Sequence, residues 1–504
     1  MATPESVGKI NLGLGRITTF FEHTLPSDPR AKLRVIHIAG TNGKGSVCAL
    51  ISEALMAAGY KVGTFNSPHF LEPSDAARIQ GMPVPTSEYA ELREWISSLD
   101  TNAPSEEGPL SLFEQATVAA IWWFAKNDVD VAVIEVGMGG LRDATNVFGT
   151  SLVQCICPID EDHLGMIGNN VEEIAREKSG IMRPGSWIVV GNQERTEAFH
   201  TVRQIAHSTS PGRIINYPPS VAAAGAENGK EQVPKTVELD LPLMLPGYYQ
   251  ADNASVAFYA LDILRAHYAF DRLTDAAIQV GFQNVRWPGR LAWLRLTHPI
   301  TPTGSASSSA PANQNNANAT APSSTQSSSG GGGGQHAPDS TDPLSAWILA
   351  DGAHNEPAAA ELRRYINATL RRIAQQRYLN VYSGSGYKDT TSVRWVVGFT
   401  KGKDVSGILR KLVRPGDSVW AVPFTQPDEM PWIQCTDPTE IQATARGVIE
   451  DKMTEISKFD SLAEAVQRLN GDKSDKYLTV LCGSLYLVAD LYRELHVRPF
   501  DKPA

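Results

Sequence analysis

The segment from Arg34 to Tyr60 constrains the fold of this chain more than any other. An apolar run, RVIHIA, leads into the glycine-rich turn GTNGKGS, and SVCALISEALMAAGY follows with apolar residues at helical spacing that stop at Gly59. This reads as strand, loop and helix. Glycines 40, 43 and 45 let the backbone turn tightly and offer N–H groups to an anion, the helix start adds its positive end, and Lys44 adds a point charge. Gly40, Thr41, Asn42, Gly43, Lys44, Gly45 and Ser46 therefore form a candidate phosphate-binding loop. Its spacing departs from GxxxxGK[ST], because a glycine stands between Lys44 and Ser46 and the loop is shorter. The plainer alternative is a tight turn with one exposed lysine; the flanking strand and helix favour the phosphate reading.

The same alternation continues with KVGTF, a helix from Leu112 to Lys126, the strands DVAVIEV and LVQCICPI, a helix through Val171 to Ile181, and WIVVG. Strands alternating with helices predict an α/β fold with a parallel sheet covered on both faces. A hinge is expected near Asn284 to Leu291, where NVRWPGRL breaks a helical stretch. Residues 301–343 are nearly all Ser, Ala, Asn, Gln, Thr, Pro and Gly, a composition that predicts a disordered insertion. Beyond it, AWILA, a helix from Asn355 to Ala374, RWVVGF, SVWAV and YLTVLC predict a second, smaller α/β domain. The expected division is a first domain over 1–296, the insertion over 301–343 and a second domain over 344–504.

A length of 504 residues accommodates two to four domains. The net charge of −10, with no long Lys/Arg run, argues against nucleic acid or an anionic membrane as partner. Cys48, Cys155, Cys157, Cys435 and Cys482 form no CxxC pair and fit reduced thiols. No apolar stretch is long enough to span a bilayer, the N-terminus lacks a signal-like core, and Glu5 and Glu22 interrupt what a mitochondrial presequence would need. The cytosol is the expected compartment.

Two acidic sites fall at predicted strand ends, where an open parallel sheet places its ligand crevice. Glu135 ends the strand in VIEVGMGG, and Asp160, Glu161, Asp162 and His163 follow LVQCICPI. Alone, Glu135 could serve as a cap partner and the acidic run as a solvated turn. Beside a phosphate loop they converge on a site for ATP and Mg²⁺.

Nine ordered blocks then resemble one known family: HIAGTNGKGSV, SPHF, VIEVGMGG with DATNV, DHLGMIGN, IAREKSGI, LPGYYQADNA, WPGRL, DGAHN and GSLYLV. They resemble the dihydrofolate synthase and folylpolyglutamate synthase family of the Mur ligase superfamily. The resemblance covers nearly the whole chain outside the insertion. It implies an N-terminal P-loop-type ATPase domain, a smaller C-terminal Rossmann-like domain and substrates between them. Carried onto this sequence, Lys44 and the loop amides would hold the β- and γ-phosphates, and Ser46, Ser67, Glu135 and His163 would surround Mg²⁺, with two ions expected. Lys178 would be a candidate for carbamylation, since only the modified side chain has oxygen ligands for a second cation. Asn253 and Arg290 would contact the nucleotide, and Asp351 and His354 would be brought to ATP and an acyl phosphate.

The chain also departs from the family pattern. Leu141 and Arg142 reverse the usual Arg–Leu order, Tyr249 stands where many relatives carry histidine, and Asp75, Ala76, Ala77 and Arg78 keep one arginine where two are usual. The last loop touches the pterin in the family, so it bears on substrate choice. The resemblance implies that L-glutamate is joined to dihydropteroate through an acyl phosphate, with Lys44, Mg²⁺ and His354 offsetting charge. EMPWIQCTDPTEI, GLGRITTFFEHT and NVRWPGRL look more like the fungal dihydrofolate synthases than the eukaryotic polyglutamate synthases. The alternatives are glutamate addition to tetrahydrofolate, a bifunctional enzyme, a simple phosphotransferase, or a nucleotide-binding regulator without catalysis. Small-molecule substrates and a monomer are expected.

Overall fold

Alternating apolar strands and helices assemble into two sheets in the computed structural model, which describes residues 12–25, 27–102, 105–216, 247, 249–296, 346–380, 392–451, 454–472 and 476–500. The first sheet comprises β1 (Val35–Ala39), β2 (Val62–Phe65), β3 (Ala77–Ile79), β4 (Met82–Pro83), β5 (Val131–Glu135), β6 (Val153–Ile156), β7 (Trp187–Val190) and β8 (Ile214–Asn216), in the order β4-β3-β2-β5-β1-β6-β7-β8. The second comprises β9 (Ala292–Arg295), β10 (Trp347–Ala350), β11 (Ser392–Val397), β12 (Ser418–Ala421), β13 (Glu455–Lys458) and β14 (Tyr477–Cys482), in the order β13-β12-β11-β14-β10-β9.

The first sheet is parallel from β2 through β8, with β3 and β4 added antiparallel at one edge. Its central strand β1 is buried at all five positions, as expected of a parallel strand covered on both faces. Helices Lys44–Ala57, Tyr249–His267 and Asp275–Asn284 supply the apolar cluster on one face, and Thr86–Asn102 with Leu112–Lys126 supply that on the other. The ends of β1, β5 and β6 therefore open at one crevice, where Glu135 is the last residue of β5.

The second sheet is also covered on two faces, with Trp293 and Trp395 in one cluster and Trp420 in the other. β9 lies inside the stretch expected to form the first domain. It pairs antiparallel with β10, from Arg295 beside Trp347 to Ala292 beside Ala350, so residues 292–295 belong to the second sheet. A short strand at the end of a helical stretch carries no local sign of which sheet it joins. The helix expected over Asn355–Ala374 spans Glu356–Asn380. The insertion expected over 301–343 lies outside the described residues. Among those described, no helix is long and apolar enough to cross a membrane, and all five cysteines are free.

Candidate active site

The phosphate loop is built by close approach. Gly40 has φ +148°, and a Cβ there would lie 2.6 Å from that of Cys157; Gly43 has φ +89°, and a Cβ would lie 2.3 Å from the Asn253 amide oxygen. Both positions need glycine on two counts. The Thr41 and Asn42 amides donate to the Pro158 carbonyl at 2.8 and 3.3 Å, and Thr41 Oγ1 exchanges hydrogen bonds of 3.1 Å with the Asp160 backbone. Those two loop amides are thus committed to the strand end after β6. The first helical turn from Lys44, whose N-cap Gly43 contributes no side-chain cap, offers its amides to an anion.

Asn253 and Gln250 brace this loop from the helix Tyr249–His267. Asn253 Nδ2 donates to Gln250 Oε1 at 2.8 Å, and Gln250 Nε2 reaches Ser46 Oγ at 3.4 Å. Asn253 is therefore held against the loop itself. The Lys44 ammonium donates to the Thr41 carbonyl at 3.3 Å and stands 3.9 Å from Glu135 Oε1. Glu135 is buried, and desolvation raises its pKa, opposed first by Lys44 and then by a hydrogen bond from Asn66. Its Oε2 accepts from Asn66 Nδ2 at 2.8 Å, and Asn66 Oδ1 accepts from Arg78.

Ser67, next along the chain, has a buried hydroxyl without a hydrogen-bond partner among the described residues. Hard oxygen donors of this kind, one carboxylate with neighbouring hydroxyls, suit a Mg²⁺ that keeps waters and nucleotide phosphates as its other ligands. His163 is arranged differently. It has φ +49°, lies in an exposed turn and has Nε2 3.4 Å from Asp162 Oδ2. Among the described residues no three His, Cys, Asp or Glu side chains are grouped as a metal site would need.

Lys178 is carried into the crevice by the helix Val171–Ser179, which packs against Gly139 and Gly140; a Cβ on Gly140 would lie 2.7 Å from the Lys178 carbonyl. The Lys178 ammonium donates to the Gly40 carbonyl at 3.0 Å. Burial, and then the charge of Lys44, pull its pKa down to about 7. A solvated helix lysine would not behave this way. Arg142 pairs with Glu177 at 3.1 Å, beside Lys178.

The second sheet contributes from the end of β10. Both Asp351 oxygens accept backbone amides, Oδ2 from Leu291 and Oδ1 from Ala353, at 2.9 and 2.8 Å. Arg290 lies over Gly352, where an added Cβ would come within 2.5 Å of its guanidinium. His354 Nδ1 faces the Gly352 carbonyl at 2.8 Å and must donate to it, which leaves Nε2 as an acceptor. Burial, with Lys403 next, pulls the His354 pKa down to about 4. At that pKa the ring is neutral near pH 7. The Lys403 charge is felt at His354, ahead of that of Arg290, and also at Asp162 and His163. Sequence reasoning passed over Lys403, Asn66 and Gln250. The basic TKGK turn after β11 was the available signal for Lys403.

This fold and site define a Mur-type ligase: residues 38–261 match the model of the Mur ligase middle domain, and 337–494 match that of the dihydrofolate synthetase C-terminal domain. The chain belongs to the dihydrofolate synthetase family. It is 31% identical over 492 residues to a probable dihydrofolate synthetase of Schizosaccharomyces pombe, covering 96% of this chain and 99% of that protein. It is likewise 31% identical over 495 residues to the dihydrofolate synthetase of Saccharomyces cerevisiae, covering 96% and 98%. Among solved structures it is similar to a bifunctional folylpolyglutamate synthase/dihydrofolate synthase with Mn, AMPPNP and L-glutamate bound, at 25% identity and TM-score 0.66 over 97% of this chain and 95% of that one. The fold is also that of the Mycobacterium tuberculosis folylpolyglutamate synthase complexed with ADP and AMPPCP, at 23% identity and TM-score 0.68 over 97% and 96%.

Proposed function

We propose that this chain is an ATP-dependent ligase that joins L-glutamate to dihydropteroate, giving dihydrofolate, ADP and phosphate. The observation that carries the reading is the pairing of Lys44 with Glu135 at the mouth of the phosphate loop, 3.9 Å apart. Dihydropteroate carries a carboxylate, which resists amines because its leaving group would be oxide. Its oxygen attacks the γ-phosphorus of ATP, ADP departs, and the resulting acyl phosphate is attacked by the glutamate amine, which loses a proton as phosphate leaves. Lys44 and the first-turn amides hold the phosphates and take up the charge of the transferring group. Glu135, with the Ser46 and Ser67 hydroxyls, would hold Mg²⁺, which when bound supplies further charge neutralisation.

Lys178 is suited to carbamylation: with a pKa near 7 a large share of its amine is neutral and nucleophilic toward CO₂. The carbamate would give a second cation its oxygen ligands, and His163 would complete the pair of metal sites. Arg290 would meet the nucleotide from the linker, and His354 would accept a hydrogen bond at Nε2. The two sheets are read as two domains hinged at 284–291, with β9 in the second, in a monomeric cytosolic protein whose five free thiols accord with a reducing compartment.

The test is phosphate release by the purified chain with ATP, Mg²⁺ and L-glutamate, supplied with dihydropteroate or tetrahydrofolate, with products weighed by mass spectrometry. Amide product from dihydropteroate alone is expected. Product from tetrahydrofolate as well would make the enzyme bifunctional, and ADP release indifferent to glutamate would sink the ligase reading.

A further inference from the structure

Glu135 is oriented by two side chains that the nucleotide does not need to touch. Asn66 follows β2, and Arg78 lies on β3, opposite Thr64 in the antiparallel register. Both are buried. A guanidinium can only donate, so the amide oxygen of Asn66 must face Arg78 and its nitrogen must face Glu135. Asn66 thereby occupies Oε2 at 2.8 Å and leaves Oε1 on the side of Lys44. Arg78 is itself fixed by a second donation, to the Asp75 carbonyl.

The Arg78 guanidinium carbon lies over two aromatic rings, 4.7 Å from the centre of Phe500 and 5.4 Å from that of Trp287. Trp287 packs on the phosphate loop, where a Cβ on Gly45 would lie 2.7 Å from the indole. Phe500 comes from the other side. It packs with Phe70 and Tyr492 in an apolar cluster shared with the second sheet. A continuous line of contacts therefore runs from the second sheet through Phe500, Arg78 and Asn66 to the Glu135 carboxylate.

We propose that Asn66 and Arg78 are positioning residues that aim Glu135 Oε1 at the nucleotide's divalent cation, and that Phe500 locks them when the second sheet is seated. This inference rests on the reading of Glu135 as a cation ligand. It makes metal competence depend on the relation between the two sheets.

The test is Mn²⁺ affinity of the full chain, measured by electron paramagnetic resonance with a non-hydrolysable ATP analogue, beside the Mg²⁺ concentration for half-maximal turnover. Asn66→Asp keeps the shape but removes the donor, and its Mn²⁺ affinity should fall about 10- to 100-fold, the range for a residue that orients a metal ligand. Phe500→Ala should weaken Mn²⁺ about three- to tenfold through the lost cation–π contact. Phe500→Tyr should restore binding and Phe500→Leu should not, while metal-free nucleotide affinity stays put. If Asn66→Asp fails to fold, the partly buried Phe500 series decides alone. Unmoved Mn²⁺ affinity in folded variants would overturn the relay and leave the ligase reading standing. A wild-type chain that binds no Mn²⁺ with nucleotide would overturn Glu135 as a ligand and the relay with it.

Discussion

The ends of β5 and β10 carry the same kind of residue in the same kind of place. Glu135 and Asp351 are both buried carboxylates at the carboxyl edge of a parallel strand, and burial raises the pKa of each. Their oxygens are engaged differently. Asp351 accepts a backbone amide on each oxygen and stitches the linker residue Leu291 to the turn after β10. Glu135 accepts one side-chain amide, and its other oxygen faces an ammonium at 3.9 Å, beyond hydrogen-bond reach. One carboxylate is closed by the backbone and the other is open to a cation, so position at a strand end does not by itself decide the job.

The contrast breaks most readily at Glu135. Glu135→Gln keeps the shape and removes the charge, and kcat should fall by about 10²- to 10³-fold, as when one preorganised charge-stabilising group is lost. Steady-state kinetics with a thermal melt should show that loss with an unchanged midpoint. Asp351→Asn leaves two backbone amides competing for one acceptor. Urea unfolding should show a loss of about 1–3 kcal/mol, the cost of an unsatisfied buried donor, with a smaller fall in kcat than for Glu135→Gln. The reverse ranking, a catalytic collapse in Asp351→Asn at full stability, would dissolve the distinction.

The smallest effect sharpens it by pH. Lys178, beside the open carboxylate's ammonium partner, has a folded pKa of about 7, below its ordinary value of 10.5. The unfolded chain therefore binds more protons than the folded one above pH 7, and stability should rise from there toward the unfolded pKa. The slope should approach about 1.4 kcal/mol per pH unit, the value for one proton. Denaturant unfolding between pH 7 and 9 should show this rise in the wild type and lose it in Lys178→Met.

Much of this was legible locally. The glycine loop, the strand before it and Glu135 at the end of β5 announce themselves through apolar runs and turn residues a few positions apart. What stayed hidden depends on contacts between distant segments. Asn66 reaches Glu135 across 69 positions and Lys178 reaches Gly40 across 138, and neither partner leaves a mark on the other's neighbourhood. His354 was assigned to the site on its strand-end position, but its neutral state depends on burial and on Lys403, which only the folded chain brings near. The pairing of β9 with β10 was not foreseen for the same reason, since the two strands are separated by residues 296–346.

That pairing bears on how the chain can change. Arg295 sits beside Trp347 on neighbouring strands, and β9 is the outermost strand of its sheet, so the intervening segment starts and finishes at one spot on the periphery. Where two chain positions are held side by side in this way, added length between them is inexpensive, about 0.6 kcal/mol for each doubling of a flexible connection. A reporter spliced between Arg295 and Trp347 would thus leave the register of the two strands as it is.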